Sequence, residues 1–218
     1  MKILVTGFEP FGGETANPSS LATRLLPERI LDAEIIKKEL PVIFGKAADL
    51  LTGTIKDHSP DAVVCTGLAG GRKGITPELV AVNLRHASIP DNAGLQPEWE
   101  KVVPEGEDGL FSTLPIREMV KALQAAGICA EISKTAGTFV CNEVMYRLLS
   151  FHKKEYPGMM AGFIHLPYAA EFPPEGKDVF SMPLPQIRNA LEICIREVVK
   201  AKQHMSAYDP CAEKEKEE

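Results

Sequence analysis

Residues 2–7 read Lys2-Ile3-Leu4-Val5-Thr6-Gly7, a short apolar run closed by a glycine. Such a run, without polar alternation, fits a strand covered on both faces. Asp61-Ala62-Val63-Val64-Cys65-Thr66-Gly67 has the same form, and residues 161–166 read as a third strand of this kind. Helical patterns separate them. Ser19 or Ser20 is placed to cap a helix ending before Pro27, and residues 46–57 carry Ala47, Leu50, Leu51 and Ile55 along one side. Pro115 and Gly127 bracket a helix over about 115–126. A helix over 140–152 precedes the third buried strand, and a last one over 184–202 aligns Ile187, Leu191, Cys194, Ile195 and Val198. Further strands are expected at 33–43, irregular or at an edge because of Pro41, and at 79–83 and 128–134. Strands interleaved with helices predict an α/β fold: a single domain with a twisted, mostly parallel sheet flanked by helices on both faces.

The rest of the composition narrows the class. At 218 residues, 44% apolar and 25% charged, the chain buries a core without disulfides or structural metals. No stretch approaches the roughly 20 apolar residues of a membrane span, and the N-terminal run is too short for a secretory signal, so a cytoplasmic protein is expected. The net charge of −6 argues against nonspecific nucleic-acid or membrane-surface binding. Half of that charge lies in residues 204–218, read as a charged, disordered tail after a domain over 1–203. The five cysteines (Cys65, Cys129, Cys141, Cys194, Cys211) form neither a zinc pattern nor a disulfide framework. Residues 88–112 lose all periodicity and read as a long loop that closes over a site or packs on another subunit.

Ligands of open α/β sheets bind beyond the carboxyl ends of the strands. After the first strand comes Gly7-Phe8-Glu9-Pro10-Phe11-Gly12-Gly13-Glu14, then Asn17-Pro18; after the next buried strand comes Gly67-Leu68-Ala69-Gly70-Gly71-Arg72. Cys141 falls at the start of a helix, where the helix dipole favours a thiolate, and His165 falls at the end of a strand. Cys141 is equally well read as a small core residue, and His165 as a satisfied buried histidine. His58 and His152 read as helix-end caps, His86 as a turn residue and His204 as part of the tail. Glu78 or Glu9 is placed to orient an imidazole, or is a surface charge. The glycines at 67, 70 and 71 suit a tight turn or a phosphate cradle, but neither G-x-G-x-x-G nor G-x-x-x-x-G-K-[ST] is present. Phe8 and Phe11 either fill the core or clamp a flat ligand.

Seven segments taken together resemble pyroglutamyl peptidase type I, also called pyrrolidone carboxyl peptidase. They are residues 7–14 with Asn17-Pro18, then 67–72, 75–83, 89–97, 112–116, 135–142 and 162–168, in family order. The resemblance implies a cysteine exopeptidase that removes N-terminal pyroglutamyl residues through a thioester. It implies Cys141 as nucleophile, His165 as general base and acid, and Glu78 as orienting carboxylate. It places the lactam pocket at Phe8, Phe11, Asn17, Phe139 and Val140. It further implies pyroglutamylated peptides as partners, a homodimer or homotetramer, and neither metal nor cofactor. Two positions depart from the family pattern. Ser88 stands where an arginine is usual, and Leu79 where an arginine is common after the glutamate. Either Arg85 or Arg72 is expected to substitute, or activity is lower. The alternatives are a family member that only binds a pyroglutamyl-like ligand, and a nucleoside or phosphate enzyme using the 67–72 loop.

Overall fold

The opening strand, β1 (Lys2–Phe8), is buried from Ile3 to Phe8 and pairs in parallel with a strand on each side. The computed structural model describes residues 1–174 and 178–207. After β1 come α1 (Pro18–Arg24), β2 (Arg29–Ile30), β3 (Ala33–Leu40), α2 (Lys46–His58) and β4 (Ala62–Leu68). Then follow β5 (Thr76–Pro77), β6 (Val80–Val82), β7 (Gly109–Phe111), α3 (Ile116–Ala125) and α4 (Val140–Glu155). The chain continues through β8 (Met160–Leu166), β9 (Tyr168–Ala169), β10 (Ser181–Met182) and α5 (Leu184–Ala207).

The main sheet has the order β2-β3-β1-β4-β8-β5. β3, β1, β4 and β8 are parallel, and the two-residue strands β2 and β5 lie antiparallel at the edges. Alternating side chains of the buried strands feed two cores. Ile3, Val5, Val64 and Ile164 meet α1, α3 and α5 on one face. Leu4, Val63, Cys65 and Phe163 meet α2 and α4 on the other. The α/β sheet flanked on both faces is therefore as expected. The expected apolar stripe of α5, Ile187 through Val198, is fully buried.

Several local expectations are corrected. The cap of α1 is Asn17, whose Oδ1 accepts from Ser19 N at 3.0 Å. Pro18, with φ preset and no N–H to satisfy, starts the helix, so Ser19 and Ser20 fall inside it. β3 stops at Leu40, directly before Pro41. The 79–83 strand is present as β6, but it pairs only with β7, which forms the end of the expected loop 88–112. Residues 128–134 are no regular strand; they meet residues 75–78 in isolated bridges. The ladder runs Ile75 N to Cys129 O, Glu131 N to Ile75 O, Ser133 N to Pro77 O and Leu79 N to Ser133 O. Its missing rung is the one Pro77 has no N–H to make. Finally, α5 continues through 204–207, past the expected boundary at 203, and takes in His204. Residues 208–218 of the expected tail, with Cys211, lie outside the described residues.

Candidate active site

The sheet order reverses at β1. The chain moves outward to β3, then returns to β4 on the opposite side of β1. A crevice at the carboxyl ends of the strands beside such a switch is the usual ligand site of an open α/β sheet. A cavity of about 240 Å³ opens there. Phe8 comes from the end of β1 and Leu68 from the end of β4, and Ala69 and Arg72 come from the loop after it. Residues 136–141 enter with the start of α4, and His165 comes from the end of β8. Phe11, Asn17 and Val42 complete the wall. Every residue expected at the site except Glu78 lines this one cavity, and Glu78 stands directly behind His165.

His165 and Glu78 are both buried, and the imidazole Nδ1–H donates to Glu78 Oε1 at 2.6 Å. This partner assigns the Nδ1–H tautomer and leaves Nε2 as a proton acceptor. Glu78 follows β5, which pairs with β8 so that Thr76 faces His165. Arg72 Nη1 donates to the same Oε1 at 2.6 Å and to Thr76 Oγ1 at 2.7 Å, and Arg72 Nη2 donates to Thr135 O at 2.8 Å. The alternative carboxylate, Glu9, is committed elsewhere. Its Oε1 accepts from Val42 N at 3.0 Å and from Asn92 Nδ2 at 2.8 Å.

Cys141 is the second residue of α4, and its half-buried thiol both packs against the core and lines the cavity. The expected low-pKa thiolate is corrected. Burial, and then the negative charge of Glu78, push the Cys141 thiol up to about 12, outweighing Arg72 and its own backbone N–H. Burial likewise holds the His165 imidazole below its ordinary value, against the pull of Glu78. Both shifts favour the uncharged forms, thiol and imidazole.

The apolar end is a cluster of rings. Phe139 lies 6.0 Å from Phe11 and edge-on to Phe44 at 5.3 Å between centroids, and Phe8 lies 6.3 Å from Phe163. Asn17 is capped into place: Oδ1 accepts from Ser19 N and Oγ, and Nδ2 donates to Glu9 O. One of its two amide N–H groups is left for a ligand. Asp91 and Asn92, in the long loop, hold two walls together. Asp91 Oδ2 accepts from Phe44 N at 2.9 Å, and Asn92 Nδ2 donates to Pro10 O at 2.9 Å. Sequence reasoning missed Val42 in the lining. It carries no chemical signature; only the fold brings it to the site. Of the glycines after β4, Gly70 serves close packing, since a Cβ there would lie 2.7 Å from the Tyr168 ring, whereas Gly71 has open space around it and supplies a φ of 91°. Among the described residues no group of three or more His, Cys, Asp or Glu is arranged to hold a metal ion. Of the other cysteines, Cys65 and Cys194 pack in the cores, but Cys129 is exposed because its neighbours Ile128 and Ala130 take the inward positions. The remaining histidines stay outside the cavity, with His86 stacked on Trp99 at 4.2 Å.

The sequence matches the pyroglutamyl peptidase family over residues 1–201. The chain belongs to that family. The pyrrolidone-carboxylate peptidase of Streptococcus suis (strain 05ZYH33) is 46% identical over 200 residues, covering 92% of this chain and 93% of that one. The pyroglutamyl peptidase I of Bacillus amyloliquefaciens has a similar crystal structure, with a TM-score of 0.87 and 42% identity over 90% of this chain and 94% of that one. A mutant pyrrolidone carboxyl peptidase of Pyrococcus furiosus matches with a TM-score of 0.88 and 41% identity over 92% and 99%. The expected enzyme class, a peptidase of the pyroglutamyl type, is borne out, and nothing favours the binding-only alternative. Of the family departures, Ser88 is exposed and outside the cavity lining, and Leu79 packs against a core. Arg85 is held by Glu100 at 2.7 Å and Glu143 at 3.3 Å, so Arg72 is the guanidinium that lines this cavity.

Proposed function

We propose that this chain removes an N-terminal pyroglutamyl residue from peptides by way of a thioester on Cys141. The observation that carries the reading is one cavity, lined by phenylalanines, onto which a thiol and an imidazole held by a buried carboxylate both open. A pyroglutamyl group is a small, flat, uncharged lactam without a free amino group. Phe8, Phe11, Phe139 and Val140 would enclose its ring, and the spare N–H of Asn17 would donate to its ring carbonyl.

His165 Nε2 takes the proton from Cys141 Sγ as the sulfur adds to the exocyclic carbonyl carbon. Glu78 fixes the ring and stabilises the imidazolium that forms. The first N–H groups of α4, Cys141 among them, have no intrahelical acceptor and meet the oxyanion. One such donor is typically worth about 3–4 kcal/mol. His165 then gives its proton to the leaving amine nitrogen as the C–N bond breaks. Water, deprotonated by His165, cleaves the thioester and returns the thiol.

The described chain has no helix long and apolar enough to cross a membrane. The four described cysteines are all unpaired, which supports work in a reducing cytoplasm. A homodimer or homotetramer is part of the same proposal. The exposed Trp99 and the partly exposed Ile89 and Leu95 offer apolar surface for it, and light scattering on the purified chain tests it. The enzymatic reading is tested with a pyroglutamyl-coumarin substrate. Turnover that is abolished by thiol alkylation, and absent in Cys141→Ser, supports it; binding of the substrate without turnover by the native chain overturns it.

A further inference from the structure

Glu78 presents an asymmetric carboxylate. Oε1 accepts from both His165 Nδ1 and Arg72 Nη1, each at 2.6 Å, while the buried Oε2 has no partner. Two groups able to carry positive charge thus converge on one oxygen. Arg72 is held there independently of His165. Thr76 Oγ1 and Thr135 O accept from its guanidinium, and Arg72 N donates to Ala69 O at 3.3 Å across the turn that carries it.

From this geometry we infer that Arg72 is a positioning residue of the peptidase, one that shares the Glu78 oxygen with His165 and so keeps the imidazole a neutral base. The inference rests on the catalytic reading above. A wholly buried carboxylate needs a countercharge. If His165 were the only partner of Glu78, the favoured arrangement would be imidazolium beside carboxylate, and an imidazolium cannot take the proton of a thiol. Arg72 supplies a permanent positive charge at the same oxygen. The imidazole is then oriented by the carboxylate without having to be charged by it. It also disfavours a second cation on that oxygen before the reaction creates one.

The charged and titratable groups that bear on His165 are few. Glu78 and Arg72 reach it from the β5 side, and Cys141 faces the same cavity from α4, with the thiol of Cys65 beyond it. Arg72 pushes the imidazole down and Glu78 pulls it up, in the direction the geometry requires.

The test uses the full chain with 15N-labelled histidine, in native form and as Arg72→Gln, Arg72→Met and Arg72→Lys. The His165 imidazole is assigned with His165→Gln and titrated by NMR. In parallel, kcat/KM for the pyroglutamyl-coumarin substrate is followed against pH. In either neutral variant that folds, the His165 midpoint and the acidic limb of kcat/KM are expected to rise together by about one unit or more. Activity then falls about tenfold below the limb and approaches the native value above it. Arg72→Lys restores the native midpoint. An unmoved His165 midpoint in Arg72→Gln or Arg72→Met overturns the inference, as does a loss of rate that is uniform in pH. If the native chain proves inactive, the catalytic reading fails, while the NMR titration still decides what Arg72 does to His165.

Discussion

Gly67 and Cys141 touch across the carboxyl end of the sheet: a Cβ built on Gly67 would lie 2.9 Å from Cys141 Sγ. The same Cβ would lie 2.9 Å from Phe163 Cζ, and Gly67 is the register partner of His165. This glycine therefore separates the proposed nucleophile from the strand that carries its base. Gly67→Ala forces the sulfur or the Phe163 ring to move. Overpacking of this kind costs about 1–3 kcal/mol of stability. Displacing the sulfur should lower kcat/KM by about tenfold or more. Steady-state kinetics and a urea melt on the variant check both, and native activity in Gly67→Ala would remove the role given to the contact.

Glu78→Gln keeps the shape behind His165 but removes the charge that steadies the imidazolium. A drop in kcat of about 10²–10⁴-fold is expected, with KM little changed, because the group stands outside the cavity lining. A rise in KM at constant kcat would assign Glu78 to binding instead.

How much of this site could be read from the sequence depended on the kind of signal. The buried strands announce themselves through Ile3-Leu4-Val5 and Ala62-Val63-Val64-Cys65, since only a central strand tolerates so many apolar neighbours in a row. The chemistry of Cys141, His165 and Glu78 was legible because few residue types do such work. Their environment was not. The position of Cys141 at a helix start suggested a lowered thiol, and the desolvation that reverses it comes from elements far away in the chain. The interruption at Pro77 was equally hidden, because nothing local says which neighbour will lack its donor. Val42 enters the cavity wall only through tertiary structure.

Phe139 stands between Phe11 and Phe44 and faces the cavity. Removing its ring in Phe139→Ala takes away the apolar face offered to the lactam, a loss on the order of 1.5–3 kcal/mol for a fully covered ring. The expected result is a KM raised by about tenfold, which corresponds to the lower end of that range. An unchanged KM would place the lactam elsewhere.

Ser88 is exposed and precedes Ile89, whose Cδ1 lies 3.9 Å from the point a Cβ of Gly12 would occupy. The chain at Ser88 therefore runs beside the Phe11–Gly12 turn, and Phe11 lines the cavity. Ser88→Arg is expected to raise kcat/KM by restoring a positive charge near the developing oxyanion. An equal or lower value would show that Arg72 alone meets the need for a guanidinium.

Three thiols raised by desolvation predict that stability declines in alkali. Burial pushes Cys65, Cys141 and Cys194 each up to about 12. In the unfolded chain a thiol loses its proton near pH 8.5, an unperturbed value of about that size. Between those limits the native state holds protons that the unfolded state has released. Stability therefore falls as pH rises through this window, and it is insensitive to these groups below it. Each thiol adds a slope of at most about 1.4 kcal/mol per pH unit. Cys194 lies on the buried face of α5, away from the cavity, so Cys194→Val removes one such slope and leaves the proposed site untouched. Urea midpoints between pH 8 and 11 should decline less steeply in Cys194→Val than in the native chain, with equal activity at neutral pH. Parallel curves for the two proteins would mean that the alkaline loss arises from other groups.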